Sequence, residues 1–164
     1  MSENLRPQWP EADLKKAAGI ELLALDVDGI MTDGKLFFTA SGDEMKGFHT
    51  LDGLGIKQVM AAGIEVAVIT GRRSPLTEKR MNSLGIQHLM QGREDKKVAL
   101  LEIASALGVA SEAIAYMGDD LPDLPAATNA SSTGISVRCL WPKRLLAGFI
   151  TSFYLSVEFE YAFV

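Results

Sequence analysis

The stretch Glu21-Leu22-Leu23-Ala24-Leu25-Asp26-Val27-Asp28-Gly29 decides how this chain is read. Residues 22–25 are apolar without a break, and alternation with polar residues is missing. A strand covered on both faces reads this way, whereas a half-exposed strand alternates. Two carboxylates, two residues apart, close the run, and Gly29 permits a tight turn after them. In open parallel α/β sheets, ligands bind beyond the carboxyl ends of the strands. The stretch therefore puts Asp26 and Asp28 where such a sheet does its chemistry.

The same pattern recurs downstream. Glu65–Thr70 (EVAVIT) is a second buried strand, His88-Leu89-Met90 a short third and Ala113–Met117 (AIAYM) a fourth; Ile135-Ser136-Val137 keeps a further strand signal. Between them, Asp52–Ala62 reads as a helix with Leu54, Val59 and Met60 on one face and Gly63 as its stop. Pro75–Leu84 is a helix with proline in its first turn and Gly85 after its end, and Lys96–Leu107 is a helix stopped by Gly108. Lys35–Thr50 differs and reads as a β-hairpin around a Ser-Gly turn. Strands alternating with ten-residue helices imply an α/β fold of three layers, a doubly wound parallel sheet with helices on both faces.

The 164 residues fit a single domain, with a core over 17–137 and an atypical segment over 138–164. The net charge is −5 and there is no run of Lys or Arg, so no nucleic-acid partner is expected. The lone Cys139 forbids an intrachain disulfide and suits the cytoplasm. Residues 1–16 carry charges and no apolar run, so no signal peptide is expected. Leu145–Val157 is apolar but falls short of the ~20 residues a membrane helix needs, so no membrane partner is expected either.

Each strand end delivers reactive groups to the same edge: Asp26 and Asp28, then Thr70-Gly71-Arg72, then Gly92-Arg93-Glu94-Asp95-Lys96, then Gly118-Asp119-Asp120 with Asp123. Carboxylates gathered together repel one another, and a hard cation with oxygen ligands relieves this. Mg²⁺ suits a few carboxylates plus substrate phosphate oxygens. One Asp can attack phosphorus, while its neighbour protonates the leaving oxygen and later deprotonates water. Thr70 and Lys96 supply the hydroxyl and ammonium that hold a transferring phosphoryl group. Taken singly, an Asp-x-Asp is usually a loop or cap pair, and Lys96 a solvated first-turn residue. Four such elements in order, each at a strand end, favour the chemical reading.

Asp26–Gly34 (DVDGIMTDG), Thr70, Lys96 and Gly118-Asp119-Asp120 with Asp123 resemble the four motifs of the haloacid dehalogenase superfamily. A closer resemblance is to the 3-deoxy-D-manno-octulosonate 8-phosphate phosphatase family. It covers about residues 22–125 and includes Phe48–Ile56 (FHTLDGLGI), Ile69–Arg72 (ITGR), Gln91–Lys96 (QGREDK) and Gly118–Pro125 (GDDLPDLP). The resemblance implies a nucleophile at Asp26, a general acid/base at Asp28, and Mg²⁺ held by Asp26, the Asp28 carbonyl and Asp119, with Asp120 and Asp123 supporting. It places the substrate, a small anionic sugar-acid phosphate, against His49, Thr50, Leu51, Asp52, Gly53, Lys57, Gly71, Arg72, Arg80 and Lys96. Family members usually carry Asn where His49 stands. They lack a cap domain, as this spacing also requires, and they form homotetramers in which hairpins pack centrally and a neighbour helps close the site.

After Pro125 the resemblance decays. The family's Gly-Arg-rich tail is missing, and 7 of the chain's 12 aromatics lie from Trp141 onward. Alternation from Phe153 to Phe163 is a strand signal. The abrupt change raises the expectation of a shifted or truncated reading frame, which the nucleotide sequence in the other frames would test. Three alternatives stay open: another small sugar-phosphate phosphatase, a phospho-receiver module, and a catalytically weak relative. The order of the motifs speaks against the receiver, which carries its acid pair after the first strand and its phosphorylated Asp after a middle one.

Overall fold

The computed structural model describes residues 11–131 and 135–138. The elements run α1 (Glu11–Ala18), β1 (Leu22–Leu25), β2 (Phe37–Phe38), β3 (Glu44–Met45), α2 (Thr50–Ala61), β4 (Glu65–Thr70), α3 (Pro75–Leu84), β5 (His88–Gln91), α4 (Lys96–Leu107), β6 (Ile114–Gly118), α5 (Leu124–Ser131) and β7 (Ile135–Arg138). Five strands form one sheet in the order β5-β4-β1-β6-β7, with every pairing parallel. The unbroken apolar runs explain why: side chains on both faces of β1, β4 and β6 are buried.

Alternate residues sort onto two cores. Leu23, Leu25, Val66, Val68 and Met117 pack with Ala17, Ile56, Val59, Met81 and Leu84 from α1–α3 on one face. Leu22, Ala24, Ala67, Ile69, Ile114 and Tyr116 pack with Ala99, Leu100, Ile103, Ala104 and Ala126 from α4 and α5 on the other. This is the expected three-layer doubly wound sheet. Strand β1 lies at its centre, between β4 and β6. Consecutive crossovers leave to opposite sides there, which opens a crevice at the ends of these strands.

The hairpin is present, although its two strands are short. Phe37 pairs with Met45 and Phe38 with Glu44, and Gly42 takes φ 89° at the turn. Among the described residues this hairpin is the only insertion between β1 and α2, so no cap domain stands there. Helices α3 and α4 end on Gly85 and Gly108 in the left-handed region, as the sequence implies.

One reading differs, two helices go unread, and one expectation is not tested. Leu54 points outward on α2, and the buried face is Gly53, Gly55, Ile56 and Val59. Two glycines let α2 lie close against its neighbours, and they carry no signal in a hydrophobicity pattern. Helices α1 and α5 were not legible: α1 is half charged, and α5 is built mostly from small residues. The expected strand over 153–163 and all of the atypical segment after Arg138 lie outside the described residues.

Candidate active site

The loop after β1 wraps around one carbonyl. The amides of Ile30, Met31 and Thr32 donate to Val27 O at 3.3, 2.9 and 3.0 Å, while Asp26 N still donates to Met117 O of β6 at 2.9 Å. The chain thus leaves the sheet in a tight coil, with Asp26 and Asp28 at its start. Gly29 (φ 102°) is obligatory here, because a Cβ would lie 1.8 Å from Asp119 Oδ2. The β1 and β6 loops touch through this missing side chain.

Lys96, at the first position of α4, reaches back under both loops. Its ammonium is buried and donates to Asp26 Oδ1 at 2.9 Å and to Asp123 Oδ1 at 2.6 Å. Burial opposes the charge, but Asp26 and Asp123 outweigh it and hold the Lys96 pKa above its ordinary value. Asp123 is fully engaged. Its Oδ1 also accepts from Tyr116 Oη at 2.6 Å, and its Oδ2 accepts from the amides of Asp119 and Asp120 at 3.1 and 3.0 Å. Burial, then the Asp123 carboxylate, pushes the Tyr116 phenol well above its usual range, so it stays a donor.

Ligand atoms of Asp26, Asp119 and Asp123 all fall within 4.8 Å of one another. Asp119 Oδ1 is buried without a hydrogen-bond partner. Three converging acids and an orphaned carboxylate oxygen fit a hard cation. With the oxygens of Asp123 already taken by four donors, Asp26 and Asp119 are the acids free to ligate. Burial raises the Asp119 pKa, helped by Asp123 and Asp120. Asp120 instead caps the turn at Leu121–Asp123, accepting from Leu121 N at 2.7 Å.

The end of β4 supplies Thr70, buried, with Oγ1 accepting from Arg72 N at 3.4 Å, and Gly71. Arg72 is partly exposed; its Nη2 donates to Glu44 Oε1 at 2.7 Å, and its Nε lies 3.9 Å from Asp28 Oδ2. Glu44 also accepts from Ser74 Oγ at 2.8 Å, and Lys46 donates to Asp28 Oδ1. Sequence reasoning missed Lys46, Glu44, Ser74 and Tyr116. Lys46, Glu44 and Ser74 act across 18 to 30 residues of chain and Tyr116 across seven, with no local motif to mark any of them.

The remaining expected residues gather around the start of α2. His49 is the N-cap, its Nδ1 accepting from Leu51 N at 3.1 Å, so one ring nitrogen is committed to the helix. Arg80 donates to His49 O at 3.2 Å and stacks 5.8 Å from the centre of Phe48. A Cβ on Gly53 would sit 2.4 Å from Arg80 Nη2, so Gly53 makes room for that guanidinium. Asp52, beside His49 and Arg80, has its pKa raised by burial against their opposing charge. Thr50 and Leu51 are exposed at the helix start. Lys57 is exposed further along α2 and has no ion-pair partner among the described residues.

This fold and these strand-end acids define the class of haloacid dehalogenase-type phosphotransfer sites. The comparisons carry it further. The chain is 46% identical over 130 residues to the 3-deoxy-D-manno-octulosonate 8-phosphate phosphatase of Yersinia pestis, covering 78% of this chain and 68% of that protein. It is 44% identical over 124 residues to that of Escherichia coli K12, covering 76% of this chain and 64% of that protein. It therefore belongs to the 3-deoxy-D-manno-octulosonate 8-phosphate phosphatase family, and the matched stretch spans about two thirds of those relatives. A crystal structure of the Yersinia pestis phosphatase superposes with TM-score 0.79 at 37% identity, covering 87% of this chain and 85% of that one. The Moraxella catarrhalis phosphatase, solved in complex with magnesium, phosphate and KDO, gives 0.80 at 31% identity, covering 90% and 93%. No family model matches the chain.

Burial pushes the Asp26 carboxyl from 3.8 up to about 6, against the pull of Lys96. A carboxyl raised on folding stabilises the fold below its unfolded pKa, and that contribution is lost as pH rises through the folded value. In metal-free protein, wild type should therefore lose on the order of 3 kcal/mol relative to Asp26→Asn between pH 4 and 7. Urea denaturation of both proteins across that range measures it. A difference independent of pH would contradict a raised, buried Asp26.

Proposed function

We propose that this chain is a magnesium-dependent phosphomonoesterase that hydrolyses 3-deoxy-D-manno-octulosonate 8-phosphate to the free sugar acid and phosphate, a step of lipopolysaccharide sugar synthesis. The observation that carries the reading is Asp26, held at a strand end by the buried Lys96 and facing Asp119, in a chain 46% identical to such a phosphatase.

Asp26 and Asp119, with the backbone carbonyl of Asp28, would hold the Mg²⁺; Asp120 and Asp123 support them. Bound there, the cation supplies positive charge to the phosphoryl oxygens and to the Asp26 carboxylate. An Asp26 oxygen attacks phosphorus and the bond to the sugar oxygen breaks, while Asp28 donates its proton to that oxygen. The sugar acid leaves, and an aspartyl-phosphate remains on Asp26. Asp28, now ionised, takes a proton from water, the hydroxyl attacks phosphorus, and phosphate and free Asp26 result. Lys96, Thr70 Oγ1 and the Gly71 backbone bind the transferring oxygens throughout.

The sugar acid's carboxylate and hydroxyls meet Arg72, Arg80 and Lys57 with the segment His49–Gly53. Arginine suits a carboxylate because its fork makes two parallel hydrogen bonds. Such a substrate is polyanionic and does not cross a bilayer unaided, and together with the lone Cys139 this supports a cytoplasmic site of action. No helix among the described residues is long and apolar enough to cross a membrane.

A homotetramer belongs to the same proposal. Leu36, Phe37, Phe38 and Met45 of the hairpin are about half exposed, as are Leu51 and Leu54 of α2. Large apolar side chains clustered on a two-stranded ribbon favour burial against other copies.

Phosphate release from the octulosonate phosphate should require Mg²⁺, stop with EDTA and fall by at least ~10⁴-fold in Asp26→Asn, since the covalent route is lost. Turnover persisting in that variant would refute the mechanism, and equal rates across a panel of phosphorylated sugar acids would refute the narrow substrate. Sedimentation should show tetramers that dissociate in Phe37→Ser/Phe38→Ser; a wild-type monomer would refute the assembly.

A further inference from the structure

Lys46 follows the exposed hairpin strand β3, yet its side chain is only 2% exposed. Its stem turns inward and its ammonium donates to Asp28 Oδ1, 18 residues away in sequence. Burying an ammonium is costly unless an anion meets it at good geometry, so this contact is specified by the fold and does not arise from a drifting surface cation. Asp28 is left with its two oxygens in different states. Oδ1 is held by Lys46. Oδ2 is buried and has no hydrogen-bond partner, with the Arg72 guanidinium 3.9 Å away.

A general acid/base works only when its reactive oxygen stands within hydrogen-bond reach of the proton it moves. Pinning one oxygen fixes the carboxylate plane and directs the other. The hairpin that carries Lys46 is itself anchored: Glu44 accepts from Arg72 Nη2 and from Ser74 Oγ, both on the loop after β4. Lys46 lies 3.8 Å from Glu44, which continues the charge alternation Asp28, Lys46, Glu44, Arg72.

We propose that Lys46 is the positioning residue for Asp28, and that the hairpin, latched to the β1 and β4 loops by Lys46 and Glu44, is a working part of the site beyond any role in assembly. This rests on the roles proposed above for Asp26 and Asp28. The bland alternative is that Lys46 only ties the hairpin down.

The two differ in leaving-group dependence. A sugar alkoxide must be protonated as it leaves, whereas p-nitrophenolate leaves unaided. The ratio kcat/KM reports the steps through phosphorylation of Asp26, where Asp28 acts as the acid. With the full chain and Mg²⁺, Lys46→Met should lose at least ~10-fold more kcat/KM on the octulosonate phosphate than on p-nitrophenyl phosphate. In an Asp28→Asn background, Lys46→Met should cost nothing more on the sugar phosphate, as expected for a residue acting through Asp28. Lys46→Gln, neutral but able to donate to Asp28 Oδ1, should recover part of the selective loss, and Lys46→Ala should repeat it in full if the Met variant folds poorly by circular dichroism. Equal losses on both esters, or losses that multiply in the double variant, would overturn the positioning role. A wild type that hydrolyses neither ester would instead bring down the proposed function and this inference with it.

Discussion

The ammonium of Lys96, buried between Asp26 and Asp123, is the contact on which the rest of the site depends. Three strand-end acids converge within a few ångströms, and in a region poor in water their mutual repulsion would splay the loops apart. Lys96 offsets that repulsion from the first turn of α4 and so joins β1, β6 and α4 at one point. Asp123 completes the joint by accepting from Tyr116 within β6 and from the amides of Asp119 and Asp120. Breaking a buried pair by removing one partner typically costs ~3–5 kcal/mol, because it strands the other charge. The placement of Asp119 against Gly29 follows from this joint and from the absence of a side chain at position 29.

The joint leaves two carboxylate oxygens deliberately unmatched. Asp119 Oδ1 and Asp28 Oδ2 are buried and unbonded, each a cost of ~1–3 kcal/mol to the folded chain. Such costs persist where a ligand relieves them. On the proposed function, the first of these oxygens would face a cation and the second a substrate oxygen. In place of a separate cap, two short strands carry Lys46 and Glu44 inward and present Phe37, Phe38 and Met45 outward.

Much of this was legible in the sequence. Strands buried on both faces leave unbroken apolar runs, so β1, β4 and β6 declared themselves, with acids after β1 and β6 and the Thr70 hydroxyl at the end of β4. Left-handed caps at Gly85 and Gly108 were equally plain, since few other residues take that conformation. What stayed hidden depends on contacts and packing that no local pattern marks. Lys46 reads as one more polar hairpin residue until the fold brings it to Asp28. Tyr116 reads as an apolar strand residue until its hydroxyl meets Asp123. The inner face of α2 is lined partly by glycines, which register as nothing in a hydrophobic pattern, so Leu54 took their place in the reading. His49 looked like a substrate contact, and the structure engages its Nδ1 as a helix cap.

On the proposed mechanism, Asp26 becomes covalently phosphorylated. Wild-type protein mixed with Mg²⁺ and the octulosonate phosphate, quenched in acid within the first turnover and reduced with borohydride, tests it most directly. An acyl phosphate is reduced to the alcohol, so peptide mass spectrometry should find homoserine at position 26 and nowhere else. Full phosphate release with aspartate intact at position 26, or with the modification at another carboxylate, would contradict the account.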